Sequence, residues 1–562
     1  MTYHPPTMHP HGLSEVSTLI QTTGTGLAVV TFQKVTMTAT TLFTISYNAY
    51  GQYPRNHLSA TAYGTAALDR HRNRLWECRD RLFTSKGLEK GHYLPFRDIS
   101  ASGSVKKSNI HSDEQLRDFL CTDASNTTAT NDTVVVQPSF KGDEACRFVF
   151  LCAESAIGPL ELSAMMLFQL LSFYQVMLHF LDFLYVYASP HGDDKELHFS
   201  GFRTQKTLTN PQPATILPEL GRSGRQYQLC YNIKTAVDKG IDGWKTRQAA
   251  IHHQFDIGQS TQLWIIGDPH SSIKRVVGEL YHENHVYPTS FSTFQQSFKS
   301  SMDVHLSLAS WATSEWRWNI RFLEERAETL TLKATLVKER AHIETLDPGS
   351  LSTVQRWEEK TTDTVMSMES NVNVLKLLQR YYRDLLKDSD FPQRERRACQ
   401  QGVKDFCFQL EELICEMQMQ IARAQVLVKV LAERKTVLIQ NLQAQSAIIS
   451  SRLAASMYDQ ADRSAIEAIA VRIVTIVTVV YLPATFSSTF FSTDVVKYQG
   501  GEVFSKVALD RFLEVTLPLM LLTFVPAGIW FWLERRKRSK TSHRAKEALV
   551  DLFSEETDLD GR

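Results

Sequence analysis

Residues 473–493 read IVTIVTVVYLPATFSSTFFST and contain no charged side chain. A second uncharged run, VTLPLMLLTFVPAGIWFWL, occupies residues 515–533. These runs have 21 and 19 residues, and as helices each is long enough to cross a hydrocarbon core of about 30 Å. They predict a transmembrane domain at residues 466–540, with a first span near 473–493 and a second near 515–533.

The charges beside the two runs predict their orientation in a membrane. The loop from Asp494 to Arg511 balances three acids with three bases, whereas a cluster of five basic side chains follows the second run. Because basic residues concentrate on the cytoplasmic side of membrane helices, we expect both termini in the cytoplasm, with a cytoplasmic tail at 541–562. The basic cluster consists of Arg535, Arg536, Lys537, Arg538 and Lys540.

The average composition of the whole chain gives no indication of this transmembrane domain. The 562 residues include 61 Lys and Arg against 61 Asp and Glu, so the net charge is zero, and 43% of residues are hydrophobic. The hydrophobic content excludes global disorder, and the balanced charge gives no basic excess for binding nucleic acid. The eight cysteines form no CxxC pair and no zinc-finger spacing. Three of them, Cys399, Cys407 and Cys415, recur at intervals of eight residues in a helical pattern, as small core residues do, and this usage fits a reducing compartment.

The first span carries a stripe of hydroxyl side chains. They follow steps of three and four residues, with Leu482 at the one remaining step, so a helix places them on one face. Hydroxyl groups gain little from facing lipid but are satisfied beside water or a neighbouring helix. The stripe therefore predicts either a pore lining or hydrogen bonding inside an inert helix bundle. It consists of Thr475, Thr478, Thr485, Thr489 and Ser492.

A long helical region is predicted at residues 301–465. Turn-forming residues at 347–349 and 388–392 interrupt it. With no proline or glycine between Gly402 and Pro483, its last helix could reach a length of about 120 Å over about 80 residues. The predicted helices lie near 304–345, 352–387 and 393–465.

The last of these helices carries a heptad repeat. Twelve positions alternate steps of four and three residues, and ten of them are apolar. Such a seam is typical of a coiled coil or a stalk. Its positions are Leu410, Ile414, Met417, Ile421, Ala424, Val428, Leu431, Lys435, Leu438, Leu442, Gln445 and Ile449.

The remaining sequence predicts an α+β cytoplasmic domain at 141–300, which becomes predominantly helical after residue 303. The pattern leaves residues 1–140 as a poorly defined extension. Residues 160–187 are too interrupted by polar side chains for a membrane span and predict a buried helix that runs into a strand. Proline and glycine mark a loop at 203–225. Strands are predicted at 147–152, 226–231 and 262–266.

Sequence motifs of enzymes are absent. No GxxxxGKS/T, HExxH or GxSxG pattern occurs. His252 and Asp256, with His253 beside them, could share a helix face for metal or acid–base chemistry. No third ligand or nucleophile is close in sequence, so local packing is the alternative interpretation. We therefore expect no enzymatic activity and no bound cofactor.

A long helix entering a proline-containing span, a short outer loop, a second span and a basic tail together resemble the CorA family of divalent-cation channels. More narrowly, the chain resembles the fungal CorA-like membrane proteins, which carry stretches similar to Leu220–Gln226 (LGRSGRQ) and Trp244–Asp256 (WKTRQAAIHHQFD). The resemblance covers roughly residues 145–540. It implies a homopentamer in a lipid bilayer that conducts Mg²⁺ or a related divalent cation down its electrochemical gradient.

A diagnostic motif of that family is missing. CorA channels end the first span with Gly-Met-Asn, where this chain has Ser492, Thr493 and Asp494. In the family the motif presents polar oxygens from five subunits to a largely hydrated Mg²⁺, an ion that gives up its waters reluctantly. Asp494 is the candidate cation-attracting residue at the pore mouth, or an interfacial residue that ends the helix. The missing motif also supports an alternative function, a non-conducting membrane-anchored oligomeric scaffold with a CorA-like fold.

The resemblance suggests one further type of site. CorA channels have cytoplasmic sites between subunits that sense divalent cations, and acidic residues of the helical region are candidates for that role. The alternative is an ordinary solvated charged face. The candidates are Asp363, Asp384, Asp388 and Asp390.

Overall fold

The protein is described as two compact units, Met1–Leu442 and Gln443–Arg562. The first unit contains a central sheet and most of the helices, and the second contains both uncharged runs. The computed structural model describes residues 38–84, 93–126, 129–130, 133–134, 137–153, 155–189, 194–240, 243–269, 272–281, 291–335, 349–492 and 506–559.

A seven-stranded sheet forms the centre of the first unit, with the strand order β2-β1-β7-β11-β10-β9-β8. Neighbouring strands are antiparallel except β7 and β11, which are parallel. Two short pairs, β3-β6 and β4-β5, accompany it. The strands are β1 (Leu94–Ile99), β2 (Val105–Ile110), β3 (Cys121–Asn126), β4 (Ala129–Thr130), β5 (Thr133–Val134), β6 (Gln137–Phe140), β7 (Cys146–Ala153), β8 (Phe202–Thr207), β9 (Gln226–Asp238), β10 (Trp244–Asp256) and β11 (Gln262–Pro269).

Helices cover one face of the sheet with residues from the first part of the chain. Because side chains alternate along a strand, Val149 and Ile265 point into this core, together with the buried Phe173 and Phe180. The helices are α1 (Ala39–Asn48), α2 (Ala60–Tyr63), α3 (Thr65–Leu82), α4 (Asp113–Leu120), α5 (Ala164–Tyr174) and α6 (Phe180–Leu184). Short 3₁₀ helices lie at Tyr50–Gln52, Tyr185–Ala188, Asp194–His198, Pro213–Thr215 and Pro218–Leu220.

The opposite face of the sheet is covered by later helices. Tyr227, Phe148 and Trp264 enter this core, where they are packed with Phe298 and Tyr382. A sheet buried on both faces needs apolar residues at successive positions, which explains the apolar interiors of β7 and β11, whereas β9 and β10 also bury polar side chains. The later helices are α7 (Ser272–Leu280), α8 (Phe294–Thr313), α9 (Trp316–Thr335), α10 (Gly349–Lys387), α11 (Gln393–Ser492) and α12 (Lys506–Leu559).

The structure corrects the prediction of a poorly defined extension at residues 1–140. From Thr38 onward the described part forms α1 to α4 and contributes β1 and β2 to the main sheet. The sequence of β1 does not show the apolar pattern of a buried strand, because it contains the charged side chains Arg97 and Asp98. Asp98 on β1 is nevertheless buried, since it pairs with Arg147 on β7.

Two local predictions in the first unit, Met1–Leu442, which we call the sheet unit, also change. Residues 160–187 contain the buried α5, which ends where Gln175 adopts a left-handed conformation (φ 52°), and helical turns follow instead of a strand. The loop at 203–225 begins with the edge strand β8. The three predicted strands are present, as parts of β7, β9 and β11.

The predicted helices differ from the structure mainly at their ends. A break near residues 314–315 separates α8 from α9, while the predicted break at 388–392 separates α10 from α11. The third predicted helix continues without a break from residue 465 into the first uncharged run, because α11 is helical to Ser492 with Pro483 inside it. The tail is helical as far as Leu559.

The heptad seam packs within the chain over most of its length. Leu410 and Ile414 are buried in the core of the sheet unit, and Leu431 and Leu438 are buried against α9 and α10. Ile449, at the end of the seam, is 56% exposed. Intramolecular packing therefore explains the seam up to Leu438, and the coiled coil between chains stays a prediction.

Two helices are long and apolar enough to cross a membrane. The candidate segments lie within Gln393–Thr489 and at Leu509–Trp530. Their large apolar side chains are mostly exposed, such as Val474 at 65% and Leu522 at 69%. Exposed apolar surface of this extent fits contact with lipid or with other membrane helices.

The buried seam predicts a pair of unequal substitutions. Leu431→Ala should lower the free energy of unfolding by about 2–5 kcal/mol, because it leaves a cavity in a closed cluster. Gln409→Ala, at an exposed position of the same helix, should leave it unchanged. Thermal melting of the detergent-solubilised full chain measures both, and equal melting temperatures would contradict the intramolecular packing of the seam.

Candidate functional site

The five predicted pore-lining residues lie on one exposed face of α11. Each hydroxyl donates a hydrogen bond to a backbone carbonyl of the preceding turn. The distances are 2.7 Å for Thr475 to Val471, 2.8 Å for Thr478 to Val474, 2.7 Å for Thr485 to Tyr481, 2.6 Å for Thr489 to Thr485 and 2.9 Å for Ser492 to Thr489.

These bonds decide what the hydroxyl face can offer to a ligand. A hydroxyl has one donor and two acceptor lone pairs, and here the donor is used inside the helix. The outward-facing oxygens therefore present acceptors only. Such a face can accept hydrogen bonds from water or interact with a cation, and it does not need a neighbouring helix to satisfy its donors.

The buried residues of the second unit lie on the other side of α11. Pro483 and Ser487 are buried there, as is Thr516 on α12. With about 100° of rotation per residue, the centre of the hydroxyl face and the centre of the buried face are about 160° apart. The hydroxyl face thus points away from the side of α11 that is covered within the unit.

Asp494 and Thr493 lie outside the described residues, so their predicted places at the pore mouth stay predictions. Ser492, the last described residue of α11, is exposed. Asp494 follows Ser492 by two residues in the sequence.

The four acidic candidates for cation sensing have other partners. Asp388 pairs with Lys206, and the hydroxyl of Thr209 donates to Asp390 at 2.9 Å. Among the described residues, no group of three or more His, Cys, Asp or Glu side chains is arranged to hold a metal ion. Within this chain each candidate therefore has a side-chain partner, which is a basic residue for three of them and a hydroxyl group for Asp390. The other pairs are Asp363 with His198, and Asp384 with Arg380 and Lys387.

The helix-face interpretation of His252 and Asp256 is wrong, because both belong to strand β10. His252 is buried against Phe180 on one face of the sheet. His253 points to the other face, where its ring stacks on Trp264 with the centroids 3.9 Å apart and its Nδ1 lies 3.3 Å from His305 Nε2. The histidines are thus packing groups of two separate cores.

Asp256 and its neighbours join the two stretches on which the family resemblance rests. The Asp256 carboxylate accepts hydrogen bonds from the Ser223 hydroxyl at 2.6 Å and the Ser223 backbone N–H at 2.7 Å. Nearby, Gln254 Nε2 donates to Gln226 Oε1 at 2.7 Å. The two stretches therefore act together as a structural link between β9, β10 and the preceding loop.

Arg222 completes this link. Its guanidinium pairs with Asp143, at 2.6 Å from Nε to Oδ2, and donates to the Phe173 carbonyl at 2.7 Å. Aromatic rings of Phe43 and Phe173 flank the charge, an arrangement that favours arginine. The loop is thereby fastened to the end of α5.

A second buried arginine was not predicted from the sequence. Arg147 donates to Asp98 at 2.5 and 2.7 Å and to the Tyr174 hydroxyl at 2.7 Å. Although burial alone lowers the pKa of Arg147, the charges of Tyr174 and Asp98 raise it. The guanidinium is therefore a permanent charge that ties β7 to β1 and α5.

A comparison with protein families finds one match, and it lies in the sheet unit. A family model described as CorA-like transporters matches residues 45–335, slightly more than half of the chain. The chain belongs to the CorA-like family. The family consists of transporters, so the prediction that this CorA-like protein is not an enzyme is confirmed at the level of the family.

Other comparisons add little about the CorA-like chain. No curated protein matches it. It is similar to the solved structure of the full-length CmaX protein, with 13% sequence identity, coverage of 80% of this chain and 97% of that chain, and a TM-score of 0.32. Agreement at this level carries no argument about function.

The family match and the sequence resemblance cover different parts of the CorA-like chain. The match begins at Ile45, well before residue 145, and it includes neither uncharged run. It thus rests on the sheet unit, whereas the hydroxyl face belongs to the second unit. The match therefore establishes membership of a transporter family and does not concern the hydroxyl face.

The buried histidines predict that the CorA-like protein is destabilised by acid. Burial lowers the pKa of His252 to about 3, whereas a histidine in the unfolded chain titrates near 6.5. Between these values the unfolded chain binds more protons, so stability is complete above about pH 6.5 and is lost as pH falls towards 3. The loss should approach about 1.4 kcal/mol per pH unit.

His252→Leu tests this dependence, because leucine fills the site without titrating. The denaturant midpoint of the detergent-solubilised chain should fall less between pH 7 and pH 5 in the variant than in the natural chain. Burial raises the pKa of Asp256, so this carboxyl acts in the opposite sense and is common to both proteins. An identical decrease in both would contradict the assignment to His252.

Proposed function

We propose that this protein is a subunit of a homopentameric channel for divalent cations, with Mg²⁺ as the transported ion. In this proposal the hydroxyl face of α11 lines the pore, and both termini are in the cytoplasm. Membership of the CorA-like transporters and the two candidate spans support a role in membrane transport. The acceptor-only hydroxyl face is the observation that carries the proposal for a cation path.

The requirement for several copies follows from the number of spans. One chain contributes two candidate membrane helices, which cannot enclose a water-filled path. Several copies can do so if each turns the same face of α11 to a common axis. The separation of the hydroxyl face from the buried face of α11 supports this arrangement, because α12 can then lie on the outside.

The chemistry of the hydroxyl face suits a hydrated cation. Mg²⁺ keeps several of its waters, since it dehydrates reluctantly, and the outer hydrogens of those waters are polarised donors. Rings of hydroxyl oxygens whose own donors are occupied present matching acceptors. Such a ring interacts with the hydrated ion without replacing its water shell, which keeps binding weak enough for the ion to leave.

Asp494 is assigned in the proposal to the outer end of this path. A ring of carboxylates would raise the local concentration of cations before they enter. Its position in sequence, two residues after Ser492, supports that assignment.

The scaffold hypothesis remains the second candidate because of one sequence observation. Ser492, Thr493 and Asp494 stand where conducting relatives have Gly-Met-Asn. A chain that kept the fold and lost conduction would form a stable oligomer without ion flux. The two hypotheses therefore differ in a transport measurement.

Mg²⁺ uptake into vesicles that contain the purified full chain and a Mg²⁺-sensitive dye tests the proposal. The double variant Thr485→Val and Thr489→Val keeps the shape of both side chains and removes their oxygens. We expect uptake to fall about tenfold, which corresponds to about 1.4 kcal/mol on the transport barrier. Fewer acceptors along the path would leave the hydrated ion less stabilised.

Thr516→Val is the matched control, because it makes the same chemical change at a buried position. Its hydroxyl has no hydrogen-bond partner among the described residues, so the substitution should not weaken folding and should leave uptake unchanged. Normal uptake by the double variant would contradict the pore lining. No uptake by the natural chain, together with a stable oligomer, would favour the scaffold.

A further inference from the structure

The two sequence stretches on which the family resemblance rests also line a polar cavity in the sheet unit. Arg222, Gly224 and Gln226 of the first stretch and Gln254 of the second form part of its wall. Its volume is about 160 Å³, comparable with a cavity of about 150 Å³ that admits benzene. Six of the lining residues are glutamines, and we therefore call it the amide cavity.

The amide cavity lies where β8, β9 and β10 meet the loop that follows β8. The strand register places Gln205 on β8 and Gln254 on β10 opposite Gln228 on β9, so all three side chains point to the same face of the sheet. Gln228 is fixed at the end of α5, because it accepts from the Met177 backbone N–H at 2.7 Å and donates to the Gln175 carbonyl at 3.1 Å. The floor of the cavity is therefore rigidly built.

The glutamines of the amide cavity leave both donors and acceptors for a ligand. Gln205 accepts from the Tyr63 hydroxyl at 2.5 Å, and Gln226 accepts from the Gln254 amide nitrogen at 2.7 Å. Because their carbonyl oxygens are used, the NH₂ groups of Gln205 and Gln226 remain as donors. The Gln254 side-chain oxygen is buried without a hydrogen bond of normal geometry to a described residue, so it remains as an acceptor.

His57 supplies a further donor. Its Nδ1 accepts from the Ser59 backbone N–H at 3.1 Å, which places the proton of the neutral ring on Nε2. Burial lowers the pKa of His57 to about 4, although the carbonyls of Gln175 and Val176 act in the opposite direction. The ring is thus uncharged at neutral pH, and within the described residues Nε2 is buried without a hydrogen bond of normal geometry.

The charges around the amide cavity exclude a charged ligand. The described residues that line it include no carboxylate, so a buried cation would have no compensating charge. Its one permanent cation, Arg222, is already paired with Asp143 and donates to the Phe173 carbonyl, so an anion would find no uncompensated positive charge. The cavity therefore suits an uncharged molecule that both donates and accepts hydrogen bonds.

We infer that the amide cavity is a binding site for a small uncharged polyol of three or four carbons, such as glycerol or erythritol. Each polyol hydroxyl is both a donor and an acceptor, so it matches the NH₂ groups of Gln205 and Gln226 and the oxygen of Gln254. The cavity volume sets the upper limit on length. A small number of placed polar groups in a concave site is typical of small-molecule binding. This inference goes beyond the proposed channel and does not depend on it.

Saturation-transfer NMR with erythritol tests the site on the full chain. The protein would be solubilised in a polyoxyethylene detergent, so that no sugar headgroup competes. We expect saturable binding with a dissociation constant on the order of 1 mM, displaced by glycerol. Choline, lactate and maltose should not bind, because the first two are charged and the third is too large. A signal that grows without saturation, or that glycerol does not displace, would overturn the site and leave a cavity filled by water.

Two conservative variants locate the binding. Thr207→Val removes a hydroxyl that lines the cavity, and valine is well tolerated in a strand. Ser59→Ala removes another, and the Ser59 hydroxyl does not cap α2. Each should weaken erythritol binding by about threefold to tenfold, the effect of one hydrogen bond, with an unchanged melting temperature in the absence of polyol.

Thr204→Val is the matched control, because it makes the same chemical change at an exposed position of β8. It should leave the affinity for erythritol unchanged. Natural affinity in both Thr207→Val and Ser59→Ala would show that erythritol binds elsewhere and would overturn the inference. Equal weakening by Thr204→Val and Thr207→Val would contradict it as well.

Discussion

A helix in hydrocarbon must satisfy its own polar groups, because no water is present to do so. In α11 the hydroxyls meet this requirement by donating to carbonyls of the preceding turn, as Thr485 does to Tyr481 at 2.7 Å. The same bonds turn a stripe of threonines into a row of outward acceptors. The cation path that we propose depends on this local arrangement.

In the sheet unit the main constraint is a different one, because helices bury both faces of one sheet. Strands β7 and β11 are largely apolar at successive positions, and two buried arginines are compensated, Arg147 by Asp98 and Arg222 by Asp143. These pairs join segments that are distant in sequence. Removing one partner of such a pair would leave a buried charge, which is strongly destabilising, so each pair holds its two segments together.

Features that depend on the spacing of neighbouring residues could be predicted from the sequence, whereas contacts between segments distant in sequence could not. The uncharged runs and the hydroxyl stripe depend only on local spacing. Strand β10 was missed because its thirteen residues include charged and amide side chains at buried positions, where they bond to neighbouring strands and loops. The heptad seam showed that α11 packs against helices, but spacing alone does not distinguish helices of the same chain from those of another copy.

The environment of the hydroxyl face is the central claim, and the reactivity of a cysteine placed there tests it directly. Thr485→Cys protein in sealed vesicles would be exposed to a charged, water-soluble methanethiosulfonate, with labelling of that peptide measured by mass spectrometry. Leu521→Cys, at an exposed apolar position of α12, is the comparison for a lipid-facing site. The account predicts that position 485 is labelled and position 521 is not; equal protection of both would place the hydroxyl face in lipid.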